Sequence, residues 1–135
     1  KEPVLLPEYL CFVGIRSFEK EEIALVEKLN IRVFYIEEIH KRGIEAVFQD
    51  AVKHVSQSTI GFGVSFDLDV LDPLEAPGVG SPTPNGISAN NMIKALRILR
   101  NNPDLKAFEI VEFNPYRDVA GKTKKIIQKS ITAVF

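Results

Sequence analysis

Charge of one sign is what this sequence most conspicuously lacks. Seventeen Lys and Arg stand against 18 Asp and Glu, a formal net charge of −1 in 135 residues. A balance so close to zero gives no electrostatic footprint for nucleic acid or an anionic membrane surface, and neither is expected as a partner. No apolar run approaches the roughly 18 residues that a membrane-spanning helix needs. Cysteine is nearly absent too. Cys11 is the single one, so no internal disulfide can form, and a reduced, cytoplasmic protein is expected. The chain opens on Lys1-Glu2-Pro3 without Met or a charged-then-apolar leader. The expectation is a processed amino terminus or the downstream part of a longer protein. What is present is a composition 45% hydrophobic, enough at this length for one domain with a real core.

Apolar periodicity alternates between two patterns. Leu10 to Ile15 is a short continuous apolar run, the mark of a buried strand. Glu19 to Asn30 is charged early and apolar at Leu25 and Leu29, as in a helix. Arg32 to Ile36 reads as the second strand. Ile44, Val47, Phe48, Ala51 and Val55 then form one helical stripe. Ile60 to Phe66 is the third strand and runs into Asp67-Leu68-Asp69. A Pro/Gly-rich passage follows from Leu71 to Gly86. Ser88 is placed to cap a helix carrying Met92, Ala95, Leu96 and Leu99, which Asn101-Asn102-Pro103 ends. Leu105 to Phe113 is a fourth strand, and Ile127, Ile131, Val134 and Phe135 line a closing helix. Strand and helix in alternation predict an α/β fold, a parallel sheet with helices on both faces. No internal repeat or domain boundary interrupts it.

Ligands of open parallel sheets bind at the carboxyl ends of the strands, and two such ends carry acids. Asp67 and Asp69 lie two residues apart after the third strand, a spacing that puts both on one strand face. Paired carboxylates repel unless a cation or a shared proton compensates, and a divalent metal with oxygen ligands is the natural solution. Glu112 sits among apolar residues at the end of the fourth strand, where a carboxylate wants a cationic partner such as a bidentate guanidinium. Each has a plainer alternative. Asp-x-Asp also occurs in turns and caps, Asp72 before Pro73 reads as a turn former, and Glu112 could pair with a nearby Lys or Arg. The glycines and prolines from Ala76 to Pro82 have neither Walker nor dinucleotide-loop spacing, yet sixteen irregular residues in a small domain are more often a binding loop than filler. His40 and His54 read as surface or core-edge residues, and Cys11 as an inert thiol within a strand.

Together these segments resemble the ureohydrolase (arginase/agmatinase) family. Ser65-Phe66-Asp67-Leu68-Asp69-Val70-Leu71-Asp72-Pro73, followed by Ala76-Pro77-Gly78-Val79-Gly80-Ser81-Pro82, is similar to its S-F-D-x-D-x-x-D-P and P-G-x-G-[ST]-P signature. Glu109 to Pro115 resembles its E-V-N-P strand, and Val13-Gly14-Ile15-Arg16 its G-L-R strand. The resemblance spans residues 1–135 as the carboxyl-terminal half of one domain, an arginase-like three-layer sandwich. It implies a two-manganese hydrolase in which Asp67 and Asp69 are metal ligands. It further implies that Glu112 orients the guanidinium, that Ser17 and Glu19 stand where acids reach the substrate's α-amino group, and that Ser81 lies close to the substrate. Val70 stands where Gly or Ala is common, and Ser17 where an acid is usual. The family's G-G-D-H and D-A-H-x-D segments, which carry its other ligands and its proton-shuttling histidine, do not occur in this sequence. The piece alone is therefore expected to be inactive and to hold no complete catalytic set.

The resemblance implies hydrolysis of arginine to ornithine and urea in the full-length protein, with agmatine or a formimino substrate as alternatives. Glu19 and Glu22 form an acidic lip suited to a cationic α-amino group. It also implies a homo-oligomer, trimer or hexamer, and a missing amino-terminal half as partner. Two further readings compete: a metal-free scaffold homologue, and a phospho-acceptor receiver domain. A receiver needs an acidic pair ending its first strand and a Lys ending its last; Arg16-Ser17 and Glu112-Phe113-Asn114 stand there instead.

Overall fold

Every strand runs parallel to one partner, as continuous apolar strands joined by helices require. The computed structural model describes residues 5–135, so the Lys1 to Pro3 opening lies outside it. The chain divides into two compact units, Lys1–Ile60 and Gly61–Phe135.

In the first unit, β1 (Cys11–Ile15) pairs with β2 (Arg32–Tyr35) across α1 (Lys20–Lys28). Two helices follow, α2 (Ile36–Arg42) and α3 (Ile44–Ser56), and both pack on β1. The core is Val33, Phe34, Ile36, Ile39, Ile44, Val47, Phe48 and Ala51, which bears out the stripe expected of α3. Periodicity assigned Ile36 to a strand and missed α2. Its signals are Glu37 and Glu38 in the first turn, His40, Lys41 and Arg42 in the last, and Gly43 closing it at φ 84°, charges that complement the helix dipole. His40 thus lies exposed in the last turn of α2. Leu25 in α1 and Leu29 at its C-cap are exposed, while Ile23 and Val26 are half-buried; the helix is turned away from the stripe expected of it. Arg32, Glu38, Arg42 and Asp50 form a surface chain of ion pairs at 2.9, 2.6 and 2.5 Å tying β2, α2 and α3 together. Burial pushes the Cys11 thiol up to about 11, against a smaller lowering by the Arg32 charge, in keeping with an inert thiol.

In the second unit, β3 (Phe62–Asp67) pairs with β4 (Leu105–Val111), and α4 (Ala89–Leu96) packs against α5 (Lys122–Val134). Phe62 and Phe66 are buried while Gly63, Ser65 and Asp67 are exposed, so β3 alternates. Leu68, Leu71, Ala76, Val79, Ile87, Met92, Leu96, Leu99, Ile126, Ala133 and Val134 complete the core. The buried face of α5 runs through Thr123, Ile126, Ser130, Ala133 and Val134. Ile131 and Phe135, expected inside, are exposed, because the helix starts at Lys122 and its small residues face inward. The parallel α/β class is as expected. The strands form two two-stranded ladders, β1-β2 and β3-β4, since periodicity marks a strand and says nothing of its partner.

Candidate functional site

The Asp67–Asp69 segment is shaped by one hydrogen bond. Strand β3 ends at Asp67, and Leu68–Val70 turn into a short 3-10 helix, so strand alternation does not bring the two carboxylates together as the spacing implied. Instead the Asp69 amide donates to Asp67 Oδ1 at 2.8 Å, so the Asp67 side chain caps the turn that carries Asp69. Asp67 is exposed and Asp69 half-buried. Asp72, as expected of a turn former, accepts the Leu74 amide on Oδ1 at 2.9 Å.

The long passage from Leu71 to Gly86 is an organised loop. Its two ends are stitched together by the Asp72 amide to Ile87 O at 3.0 Å and the Ile87 amide to Val70 O at 2.9 Å. Glycine is obligatory at 86: a Cβ there would lie 2.3 Å from the carbonyl carbon of Leu71. Midway, Val79 bridges Phe113, Gly78 O accepts the Asn114 amide at 2.8 Å, and Gly80 O accepts Arg117 Nη1 at 2.8 Å. The N-terminus of α4 is capped from this loop, where Glu75 Oε2 accepts the Ala89 amide at 3.1 Å; Ser88 holds the N-cap position without a side-chain bond.

Glu112 follows β4 directly, because the strand ends at Val111, two residues before the Phe113 that the sequence pattern implied. Across the ladder Asp67 is opposite Val111, so the acids of both strand ends emerge at one edge of neighbouring strands, about 4.8 Å apart. The Glu112 backbone is left-handed, φ 64°, a conformation that costs a non-glycine residue about 1 kcal/mol. It redirects the chain from β4 into the Val79–Phe113 bridge. An ideal Cβ on Gly80 would sit 3.2 Å from Glu112 Oε2, which brings the carboxylate against the loop bearing Ser81, itself exposed.

Asp67, Asp69, Ser81 and Glu112 therefore share the second unit. Ser17 and Glu19 belong to the first, both exposed beyond the end of β1. Glu19 is the N-cap of α1 in a capping box with Glu22, whose Oε2 accepts the Glu19 amide at 2.8 Å. The expected acidic lip is thus engaged in holding the helix start. Two cavities of about 300 and 490 Å³ lie in the first unit, both lined by Arg32 and His54; neither includes any of the six expected site residues.

Asp67 and Asp69 suit a hard divalent cation, since both offer carboxylate oxygens. Among the described residues no group of three or more His, Cys, Asp or Glu side chains is arranged to hold a metal. Sequence reasoning missed Thr123, Asp118 and Arg117. Thr123 is fully buried, and its Oγ1 accepts the Gly78 amide at 2.8 Å. The Asp118 carboxylate accepts the amides of Thr123 and Lys124 at 2.9 and 3.1 Å. An acid just ahead of Gly121-Lys122-Thr123 was the signal available for a helix start.

The family model described as Arginase family matches residues 1–135. An arginase of Brevibacillus brevis is 35% identical over 133 residues, covering 98% of this chain and 45% of that protein. The arginase structure from Bacillus caldovelox superposes with TM-score 0.94 at 28% identity, over all of this chain and 45% of that one. A formimidoylglutamase structure from Bacillus subtilis gives TM-score 0.89 at 25% identity, over 95% of this chain and 40% of that one. The chain thus spans under half the length of the relatives it matches. With acids at the carboxyl ends of paired parallel strands and a family match along its full length, the chain belongs to the arginase family.

Proposed function

We propose that this chain is the carboxyl-terminal half of a manganese-dependent ureohydrolase that converts arginine and water to ornithine and urea. The observation that carries the reading is the meeting of Asp67, Glu112 and the Gly80-Ser81 loop at one edge of the β3-β4 pair. Asp67 and Asp69 would hold the metal together with ligands from the other half of the protein. Divalent ions held there would supply a water of lowered pKa, and so hydroxide near neutral pH. Glu112, carried out of the strand by its left-handed backbone, offers a planar carboxylate to a planar guanidinium in a charge-assisted pair. Ser81, on a loop fixed at Gly78 and Gly80, supplies a hydroxyl beside that pair. Arginine is favoured because the two relatives that cover 98% of this chain are named arginase. The Glu19–Glu22 capping box removes the acidic lip as a reason for that preference.

The test uses full-length protein loaded with manganese and offered arginine, agmatine and formimidoylglutamate in turn. Urea release from arginine, with Asp67→Ala and Asp69→Ala both abolishing turnover and lowering bound manganese, is the expected result. Undiminished manganese in both variants would overturn the ligand assignment. Preferential turnover of agmatine or formimidoylglutamate would keep the metal chemistry and overturn the substrate.

A further inference from the structure

The loop that carries Ser81 is fastened to the far helix by a buried hydroxyl. Thr123, the second residue of α5, is fully buried and is joined to the loop across 45 residues of sequence. Its Oγ1 accepts the Gly78 amide at 2.8 Å, and its own backbone amide is held by the Asp118 carboxylate at 2.9 Å. Asp118 in turn accepts the first amides of α5. The fit is tight: a Cβ on Gly78 would lie 2.9 Å from both Asp118 Cβ and Thr123 Oγ1. Two residues along, the Gly80 backbone abuts Glu112 Oε2, and Ser81 follows.

We propose that Thr123, backed by Asp118, is a positioning residue: its hydroxyl latches the Gly78 amide and so holds Ser81 and Glu112 in register for the substrate's guanidinium. The proposal rests on the ureohydrolase reading for its substrate, and on the hydrogen-bond geometry alone for the latch. A plain helix cap would need only the Asp118 carboxylate on the α5 amides. The Thr123 hydroxyl adds nothing to that cap, and its bond to Gly78 leads into the loop. A displacement of about 1 Å at reacting groups can cost on the order of 100-fold in rate, so a loosened loop should be legible in kinetics.

The experiment compares Thr123→Val, Thr123→Ser and Asp118→Asn in the full-length, manganese-loaded protein. Valine keeps the shape and removes the acceptor for the Gly78 amide; serine keeps the acceptor. Hydrogen exchange at the Gly78 amide should speed at least tenfold in Thr123→Val and stay near wild type in Thr123→Ser. kcat/KM should fall at least tenfold in the valine variant and recover in the serine variant, with manganese per subunit unchanged in all. Asp118→Asn, which weakens the latch from behind, should move both readings in the same direction by less, and it serves if the valine variant fails to fold. Unchanged exchange at Gly78 in Thr123→Val, or faster exchange with an unaltered kcat/KM, would overturn the proposal. If the wild-type protein turns over no guanidino or formimino substrate, the ureohydrolase reading fails, and with it the substrate part of the proposal; the Gly78 exchange rates still decide whether the latch exists.

Discussion

Replacing Gly86 with Ala should open the stitch that joins the two ends of the 71–86 loop. The added methyl would stand 2.3 Å from Leu71 C, 2.4 Å from Leu71 O and 2.5 Å from the Asp72 amide nitrogen. Relaxed carbon contacts need about 3.5–4.0 Å, so more than 1 Å must be found. All three neighbours are backbone atoms, and no side chain can swing aside. Gly86 is not among the residues with a left-handed backbone, so Ala there brings no conformational penalty and the effect is steric. The chain can relieve it only by parting the bonds Asp72 N to Ile87 O and Ile87 N to Val70 O. Each net bond contributes about 1 kcal/mol, and crowding a packed site costs about 1–3 kcal/mol. Two bonds and the crowding together make a local loss of about 3–5 kcal/mol, which corresponds to roughly 150- to 5000-fold faster exchange of the two amides. Native-state hydrogen exchange at Asp72 and Ile87 reads this directly. Protection retained within threefold at both amides would refute the steric argument. Because Asp69 lies just before the stitch, bound manganese in the full-length protein should weaken in parallel.

Three other outcomes follow from the same geometry. Glu112→Gln should leave metal content intact and lower kcat/KM about 10- to 150-fold, the value of one charged hydrogen bond of about 1.5–3 kcal/mol; metal loss in this variant would show that Glu112 is a ligand instead. Cys11, with its thiol raised to about 11, should react with iodoacetamide at pH 8 about 100-fold more slowly than an ordinary thiol, as intact-mass kinetics would reveal. At Asp118, burial pushes the carboxyl up, but the amides of Thr123 and Lys124, the Thr123 hydroxyl and the Lys124 charge outweigh it and hold it below its ordinary value near 3.8. A carboxyl lowered on folding stabilises the native state above its unfolded pKa and loses that contribution as pH falls through the folded value. The stability difference between wild type and Asp118→Asn should therefore be constant above about pH 5 and shrink in more acid solution; a difference that grows on acidification would contradict the assignment.

Four parallel strands, the α3 and α4 stripes and the acids at two strand ends were legible from residue order, because period-2 and period-3.6 patterns record which side chains avoid water. So was the family, carried by the dense segment from Ser65 to Pro82. The start of α2 was not, since Ile36 serves a strand and a helix pattern equally well. Nor was the inward face of α5, where Thr123, Ser130 and Ala133 are buried and Ile131 is left out, an inversion that apolar periodicity cannot anticipate. Ser17 and Glu19 were picked out by likeness, and the fold assigns Glu19 to a helix cap.

The sequence by itself determined the chemistry available: two close carboxylates, a third acid at another strand end, and a glycine-rich loop between them. Tertiary structure decided how those groups meet. The ladder register puts Asp67 opposite Val111, a left-handed Glu112 turns its strand into the loop, and a buried threonine 45 residues away from Gly78 ties that loop down. Such contacts are fixed by backbone hydrogen-bond geometry and close packing between segments far apart in the chain, and neither leaves a periodic trace in the order of residues.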